Sequence, residues 1–485
     1  MREFDLIVIG GGSGTAVGDA AADRGGDVAV VEPGPLGGAC VTRGCVPSKG
    51  LIHRADVVEG IRRAGEFGVD ADVEGVDFAS ITAEVRETVF EKAEHMERQL
   101  RKSDRKTLFD AEARFVDERT VEVDGEELRG EQVVVAAGAR PSVPPIDGLE
   151  DADYLTSAEA LYLDERPDRL VILGGGYIGA ELGHFFGEMG AEVAIVGRSE
   201  RLVPREDAAA GEAVTAAFEE RYDVYAGHEA TAVEERDGEV VVTAEPSDGE
   251  EDGGGGGDGD NGDETVEVSG DELLVATGRK PNTDRLDVKA AGIETTDGGF
   301  VETDEYLESS VDGVWALGDI AGPPLFKHAA DYEARVVARN AVLDGEEEAD
   351  YTGLGHAVFT SPRVAAVGKT EAELRDDGVE YESARAEYAD VPLGMVAKDE
   401  RGFVKVLASL DGEILGCHVV GEEAPTLLHE VLVALRSGGG TVDDVAETIH
   451  VHPARNEVLL KAFDELAEIP YAGTPDWSDV TMGEE

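Results

Sequence analysis

Short runs of consecutive apolar residues, most of them ending at a glycine, recur along the chain and predict buried strands. The first run, residues 6–9, leads into a glycine-rich turn, an alanine-rich helical run and a second apolar run at 28–31. This order predicts a βαβ unit whose turn lets a phosphate approach the amino terminus of the helix. Glu32 ends the second strand and is placed to bind a ribose hydroxyl. The turn residues assigned to nucleotide binding are Gly10, Gly12 and Gly14.

A second βαβ unit follows at residues 170–196. An apolar strand at 170–173 precedes a complete glycine fingerprint, a helix through Met189 and a strand at 193–196. In the first unit Thr15 stands where the fingerprint has its third glycine, and we expect this to change helix packing without excluding a nucleotide. The fingerprint residues of the second unit are Gly174, Gly176 and Gly179.

The rest of the chain alternates between helical and strand patterns. It predicts a helical stretch over residues 51–106 and strands over 112–123. Further buried strands are predicted to end at Gly138, at Gly278 and at the pair Gly318 and Asp319. From about residue 350 the pattern predicts an α+β domain. Its strands are expected at 357–359, 364–367, 402–407 and 413–420, and its helices at 424–436 and 456–466.

Residues 246–264 combine a run of glycines with aspartate and glutamate. Such a segment cannot bury enough apolar area to order itself, so we predict a disordered insertion in a hairpin. The hairpin strands are expected at 240–243 and 265–268.

The net charge of the chain limits the kinds of partner and the environment that we expect for it. Among 485 residues there are 106 Asp and Glu against 42 Lys and Arg, a formal net charge of -64. This disfavours nucleic-acid binding, and its self-repulsion is best screened by molar salt, so the composition resembles that of a halophilic archaeal protein. No signal peptide precedes the first strand, and no run of about 18 apolar residues could span a bilayer. We therefore expect a cytoplasmic protein with no membrane contact.

Two of the three cysteines, Cys40 and Cys45, lie five positions apart behind the first βαβ unit. Gly44 and Pro47 predict a turn that lets the two thiols close a disulfide. A structural bridge is more usual in secreted chains with more cysteines, and zinc requires four ligands while Cys417 lies far away in sequence. A redox pair without a metal is therefore the favoured interpretation.

Residues 37–49 resemble the active-site signature of the flavin-dependent pyridine nucleotide-disulfide oxidoreductases, the family of dihydrolipoamide dehydrogenase, glutathione reductase and mercuric reductase. Both glycine fingerprints and the Gly318-Asp319 pair follow in the family's order, although Thr42 stands where many members carry Asn. The resemblance implies an α/β fold with two Rossmann-type domains, for FAD and for NAD(P), plus an α+β dimerisation domain. It also implies that the first glycine turn, Glu32 and Asp319 hold FAD.

The resemblance suggests five segments. They are 1–150 for the first part of the FAD domain, 151–272 for the NAD(P) domain, 273–348 for the second part of the FAD domain, 349–470 for the dimerisation domain and 471–485 for an acidic tail.

The resemblance also implies catalytic roles. Electrons would pass from the coenzyme through FAD to Cys45, the thiol nearer the flavin, then to Cys40, the interchange thiol, and to a disulfide substrate. Lys49 and Glu181 would pair beside the flavin and nicotinamide rings. His452 and Glu457 would form an acid–base pair that serves the cysteines of the partner subunit, so a homodimer is expected, with His450 in a secondary role.

The end of the second strand of the second unit bears on the coenzyme. An NAD-specific site would offer an acid there, whereas this chain has Gly197 followed by Arg198. A guanidinium can bind a 2′-phosphate, which predicts NADPH. The alternative is a solvated Arg198 in a site that accepts NADH.

Four interpretations of the activity compete. Mercuric reduction is suggested by residues 198–207, but His452 and the lack of a carboxy-terminal cysteine pair and of an amino-terminal metal-binding domain oppose it. Lipoamide oxidoreduction fits residues 450–457 but would normally require an acid at Gly197. Reduction of a small soluble disulfide with NADPH fits both the acid–base pair in residues 450–457 and the absence of an acid at Gly197. Because halophilic archaea use γ-glutamylcysteine, we expect bis-γ-glutamylcystine as substrate. A non-catalytic flavin-bound redox sensor is the remaining alternative, opposed by the two intact pairs.

Overall fold

The computed structural model describes residues 1–247, 264–469 and 477. The α-helices in chain order are α1 (Thr15–Ala22), α2 (Gly38–Thr42), α3 (Cys45–Arg63), α4 (Phe78–Arg101), α5 (Ser157–Ala160), α6 (Tyr177–Glu188), α7 (Ala208–Glu219), α8 (Thr283–Leu286), α9 (Lys327–Leu343), α10 (Glu371–Asp376), α11 (Pro392–Val396), α12 (Ala424–Ser437), α13 (Val442–Ala446) and α14 (Glu457–Asp464).

The strands in chain order are β1 (Arg2–Ile9), β2 (Val28–Val31), β3 (Lys106–Phe109), β4 (Ala113–Asp117), β5 (Thr120–Val123), β6 (Glu126–Val135), β7 (Ala139–Pro141), β8 (Arg169–Leu173), β9 (Glu192–Gly197), β10 (Asp223–Ala226), β11 (His228–Arg236), β12 (Glu239–Pro246), β13 (Val266–Gly270), β14 (Glu272–Val275), β15 (Arg279–Pro281), β16 (Val314–Ala316), β17 (Gly355–Val358), β18 (Val364–Gly368), β19 (Glu382–Glu387), β20 (Phe403–Ala408) and β21 (Ile414–Val420).

The chain packs into two compact units. The first consists of Met1–Pro144, Leu155–Arg166 and Thr277–Asp350, and the second of Pro145–Tyr154, Pro167–Ala276 and Tyr351–Glu485. Residues 155–166 thus belong to the first unit, although the expected boundary at residue 150 groups them with the second nucleotide domain. The domain boundaries remain a prediction.

The first unit is built on a sheet in the order β3-β2-β1-β6-β5-β4, with β16 also pairing β6. The strands β3, β2, β1, β6 and β16 are parallel, and β4 and β5 add an antiparallel edge. Alternate residues of β1 enter two apolar clusters: Leu6 and Val8 share one with Val17 and Val337, whereas Ile7 shares the other with residues of β4–β6. Burial on both faces explains why this strand is a continuous apolar run.

The second unit contains three sheets within the part of the chain that the structure describes. A parallel sheet has the order β10-β9-β8-β14, an antiparallel one β11-β12-β13, and a five-stranded antiparallel one β17-β18-β21-β20-β19. α12 and α14 supply Leu428, Val431, Leu459 and Phe463 to the core of the five-stranded sheet. Cys417 on β21 is fully buried there, as its apolar neighbours predict.

Several local predictions need correction. The helical stretch 51–106 is interrupted, because Gly68 takes a left-handed conformation (φ 75°) and α4 begins only after Asp77, which accepts a hydrogen bond from the Ser80 amide at 3.0 Å. Pro47 lies in the first turn of α3 rather than in a connecting turn, since a residue there has no helical partner for its amide. Strand β19 was not foreseen, because its alternation of small and charged residues carries little apolar signal.

The predicted hairpin is present where the structure describes it. β12 pairs with β13 in antiparallel register, with Val242 opposite Val268. The predicted disordered insertion between them lies almost wholly outside the described residues, as does the acidic tail apart from Trp477. Within residues 1–247, 264–469 and 477, no helix combines the length and the apolarity that crossing a bilayer requires.

Candidate active site

The glycine turn of the first βαβ unit is packed too tightly for side chains at two positions. Gly10 has φ 119°, and a Cβ there would lie 2.2 Å from the Ala136 carbonyl oxygen, while a Cβ on Gly14 would lie 2.5 Å from the Ala136 Cβ. Gly12 is more open, with its nearest contact at 3.8 Å. Thr15 donates its hydroxyl hydrogen to the Gly12 carbonyl at 2.8 Å, so it fits the third fingerprint position.

The acid of this unit has backbone partners. Glu32 is buried, and its carboxylate accepts hydrogen bonds from the amides of Gly11 at 2.6 Å and Gly34 at 3.0 Å. A carboxylate has about four lone-pair sites, so capacity for ribose hydroxyls remains. The start of α1 has no side-chain cap and can offer its amides to a phosphate. These residues fit the adenosine diphosphate part of FAD.

The strand crossings come together in the first unit. β7 pairs with β15, and the Ser142 amide donates to the Gly278 carbonyl at 2.9 Å, with Gly138 and Gly278 at φ 62° and 117°. After β16, Gly318 also has positive φ (73°), and the carboxylate of Asp319 lies 3.5 Å from Arg279. Burial raises the pKa of Asp319, and Arg279 opposes the rise only in part. A partly exposed carboxylate of this kind can accept hydrogen bonds from the hydroxyls of a flavin side chain.

The two cysteines face each other across the junction of two helices. Cys40 lies in α2 and Cys45 is the first residue of α3, with Gly44 as its N-cap. A Cβ on Gly44 would lie 3.0 Å from the Ala39 carbonyl oxygen, so a side chain there would push the helices apart. Both cysteines are thiols here, and their side chains are hydrogen-bonded. That hydrogen bond, burial and the charge of Cys45 raise the pKa of Cys40, whereas Lys327 lowers it.

A tyrosine that no motif singled out anchors the end of α2. Tyr162 donates its hydroxyl to the Thr42 carbonyl at 2.6 Å, and burial raises the pKa of Tyr162 to about 12, so it remains a donor. Thr42 itself donates to the Gly38 carbonyl at 3.0 Å. Lys49 lies one turn into α3 after Cys45. The position of Tyr162 could not have been found from the sequence, because it lies 120 residues from its partner.

In the second glycine fingerprint, one glycine permits close packing of the backbone and another borders open space. A Cβ on Gly179 would lie 2.0 Å from the Gly174 carbonyl oxygen, whereas one on Gly176 would meet nothing within 4 Å. α6 begins without a side-chain cap, so its amides can bind a pyrophosphate. Gly197 ends β9 against Gly175, where a Cβ would lie 3.2 Å from the Gly175 amide nitrogen. The next residue, Arg198, is exposed, and its carbonyl accepts from the Ser247 hydroxyl at 2.6 Å.

Glu181 lies in α6 and is buried. Its carboxylate accepts a hydrogen bond from the Phe359 amide at 3.0 Å. Tyr177, which begins the same helix, donates to Glu206, and the His356 ring lies 2.8 Å from that carboxylate. Sequence reasoning missed this Tyr177–Glu206–His356 cluster, because its members are spread over 180 positions and belong to no motif.

The predicted acid–base residues are joined. His452 Nδ1 lies 2.8 Å from the Glu457 carboxylate, whose other oxygen accepts from the Ala454 amide at 3.0 Å. The Glu457 side chain is 5% exposed and the His452 side chain 68%, so a buried carboxylate orients an imidazole that solvent can reach. Glu457 opens α14, where a carboxylate at a helix amino terminus is favoured.

His450 faces a different acid. Its Nε2 lies 2.8 Å from Glu430 on α12, and its Nδ1 lies 2.8 Å from the Thr448 carbonyl. Burial lowers the pKa of His450, but the hydrogen bond to Glu430 and the charge of that carboxylate outweigh it, and the net pKa is raised. His450 is thus tied into the fold.

Comparison with known proteins identifies the family to which this chain belongs. Residues 4–335 match the model of the pyridine nucleotide-disulphide oxidoreductases, and residues 355–463 match that family's dimerisation domain. Mercuric reductase of Staphylococcus aureus is 33% identical over 450 residues, 92% of this chain and 79% of the relative. Mycothione reductase of Mycobacterium tuberculosis is 32% identical over 479 residues, 95% of this chain and 99% of the relative.

Comparison with a solved structure agrees with this family assignment. The Cu(II) complex of the HOCl-induced flavoprotein disulfide reductase RclA from Escherichia coli superposes with a TM-score of 0.81 at 25% identity, covering 96% of this chain and 100% of that one. The predicted fold class, two Rossmann-type domains and a dimerisation domain, is confirmed. The chain belongs to the pyridine nucleotide-disulfide oxidoreductase family and is an oxidoreductase that acts on sulfur groups with FAD and a pyridine nucleotide.

Proposed function

We propose that this protein is an NADPH-dependent reductase of a small soluble disulfide and that its substrate is bis-γ-glutamylcystine. The observation that carries the proposal is the imidazole of His452, exposed to solvent and oriented by the buried carboxylate of Glu457 at 2.8 Å. Reduction of a disulfide expels thiolates that must be protonated, and a positioned imidazole performs this near neutral pH. Mycothione reductase of Mycobacterium tuberculosis, which this chain matches over 99% of that protein's length, is named for the reduction of mycothione.

The thiols carry out the exchange. The Cys40 thiolate attacks one sulfur of the substrate disulfide, which forms a mixed disulfide and expels one substrate thiolate. The imidazolium of the partner subunit's His452 gives that thiolate its proton. Cys45 then gives its proton to solvent and attacks the Cys40 sulfur as a thiolate. This expels the second substrate thiolate, which takes a proton from solvent, and leaves a Cys40–Cys45 disulfide.

The high pKa of Cys40 explains the need for a base. Its hydrogen bond with Cys45 and its burial hold the proton on Cys40, so a base must remove it before attack. The neutral imidazole of the partner subunit's His452 is our candidate. The first glycine turn, Glu32 and Asp319 would hold FAD, which when bound would supply the two electrons that return the disulfide to the dithiol.

Arg198 supports the choice of coenzyme. It is exposed directly after Gly197, at the strand end where NAD enzymes place an acid. A guanidinium there can bind a 2′-phosphate through charge-assisted hydrogen bonds. No carboxylate at Gly197 repels that phosphate.

Dihydrolipoamide dehydrogenation is the second candidate, because it would use the same His452–Glu457 pair. It differs in its coenzyme, since the NAD form of the reaction gains nothing from Arg198. Coenzyme preference therefore separates the two candidates.

Steady-state assays with purified enzyme in molar KCl test the proposal. We expect kcat/KM to be highest for bis-γ-glutamylcystine among that disulfide, lipoamide, mycothione and Hg(II), and higher with NADPH than with NADH. Arg198→Ala should lower the NADPH preference about tenfold or more, because a hydrogen bond to a charged group contributes roughly 1.5 to 3 kcal/mol. Arg285→Ala, which removes a second exposed guanidinium, is the matched control and should leave the ratio unchanged.

Two results would overturn the proposal. Preference for NADH with lipoamide would assign dihydrolipoamide dehydrogenation, and faster turnover of Hg(II) than of any disulfide would assign mercuric reduction.

A further inference from the structure

A pair of charged side chains at the start of α9 has no role in the exchange described above. The Lys327 ammonium forms an ion pair with Asp331 one turn later. The same Asp331 oxygen accepts a hydrogen bond from the Ser13 hydroxyl at 2.9 Å. Ser13 belongs to the glycine turn of the first unit, so this turn fixes the carboxylate that in turn holds the lysine.

The glycine turn also lies directly against the cysteine segment. The Gly37 amide donates to the Gly11 carbonyl at 2.8 Å, and a Cβ on Gly38 would lie 3.0 Å from the Gly12 Cα. These close backbone contacts join the residue before Ser13 to the helix that carries Cys40. Cys40 and the ion pair are therefore held by one short stretch of backbone.

The charges act on Cys40 in opposite directions. The titratable and charged groups with the largest influence on it are Cys45 on α3 and Lys327 and Asp331 on α9. Lys327 lowers the pKa of Cys40, whereas Asp331 raises it. The Lys327 side chain is 32% exposed and that of Asp331 50%, so solvent screens both effects in part.

We propose that Lys327 is a positioning residue that stabilises the thiolate of Cys40, and that Asp331, fixed by Ser13, limits this stabilisation. The inference rests on the proposed role of Cys40 as the interchange thiol. Thiol exchange is fastest when the attacking thiol has a pKa near ambient pH. A lysine that favours the thiolate therefore increases the reactive fraction of a cysteine whose surroundings otherwise keep it protonated.

The test is a pH titration of Cys40 in the FAD-loaded enzyme carrying Cys45→Ser. Cys417 is fully buried, so iodoacetamide should modify Cys40, and mass spectrometry of its peptide gives the rate at each pH. Lys327→Met should raise the pKa of Cys40 by roughly half a unit to one unit, which slows alkylation about three- to tenfold at neutral pH. Asp331→Asn should shift the pKa down and speed alkylation.

Shifts of the Cys40 pKa in opposite directions in the two variants would distinguish an electrostatic effect from damage to the fold. Lys289→Met, which removes an exposed lysine outside α9, is the matched control and should leave the titration unchanged. Shifts of the same sign from both variants, or no shift from Lys327→Met, would overturn the inference. If Cys40 titrates as expected but the enzyme reduces no disulfide, the proposed function fails and this inference stands.

Discussion

At the scale of single residues, the site depends on carboxylates that the fold buries and fixes. Glu457 is held by the Ala454 amide and in turn fixes the His452 ring. Glu32 is held by two backbone amides, and Glu181 by the Phe359 amide. Each buried acid is compensated by hydrogen bonds, as the cost of burying a charge requires. A fixed carboxylate can then orient an imidazole without changing position itself.

His452→Ala should slow disulfide turnover by about 10² to 10⁴, the usual contribution of a general acid–base group. Reduction of the flavin by coenzyme should stay nearly unchanged, because hydride transfer from the coenzyme to FAD requires no proton from His452. Stopped-flow and steady-state measurements on the same preparation would separate the two. An unaltered turnover number in the variant would contradict the role given to His452.

His450→Gln is the control, since that ring is tied to Glu430. The raised pKa of His450 means that its ion pair stabilises the fold fully below the unfolded pKa, and that this contribution is lost as pH rises through the folded pKa. The variant should therefore melt at a lower temperature than wild type at mildly acidic pH. The difference should narrow at alkaline pH, with turnover reduced far less than in His452→Ala.

At the scale of elements, the two βαβ units solve one packing problem with different residues. In the second unit Gly179 lets α6 approach the turn after β8, where a Cβ would lie 2.0 Å from a carbonyl oxygen. In the first unit Thr15 occupies that position, and its hydroxyl bonds the Gly12 carbonyl. There the close approach falls instead to Gly14, against Ala136. One missing glycine is therefore compatible with the fold.

Gly179→Ala and Gly176→Ala should have different effects. The first forces a side chain into backbone and should destabilise the protein by about 1 to 3 kcal/mol or more, the usual cost of overpacking. The second adds a methyl group to open space in the turn, so it should leave the melting temperature nearly unchanged and weaken coenzyme binding. Thermal unfolding and coenzyme titration of both variants check this. Equal losses of stability would show that the glycines do not divide these tasks.

At the scale of the whole molecule, the dominant feature is the excess of acidic over basic residues. With 106 acidic and 42 basic residues, no arrangement of ion pairs can neutralise more than 42 of the acids. Many of the pairs that form join side chains about half exposed, such as Arg98 with Glu94 and Arg385 with Glu387. Exposed pairs contribute roughly 0 to 1 kcal/mol each. Local pairing therefore leaves most of the repulsion in place.

We expect the melting temperature to rise when KCl is increased from about 0.1 M to 2 M, because the Debye length falls from about 10 Å to below 3 Å. Differential scanning calorimetry at several salt concentrations checks this. A melting temperature that is flat or falls across the range would show that the negative charge does not limit stability.

The sequence by itself determined the βαβ units, the strand crossings, the cysteine pair and the His452–Glu457 pair. The βαβ units and the cysteine pair rest on residues close in sequence, whereas the strand crossings and the role of the His452–Glu457 pair come from the resemblance to the family. Only the tertiary structure decided the partners of buried polar groups across long separations: Tyr162 with Thr42, Tyr177 with Glu206, and Ser13 with Asp331. These contacts form because packed elements bring distant side chains together, and no period or motif in the sequence records which ones meet.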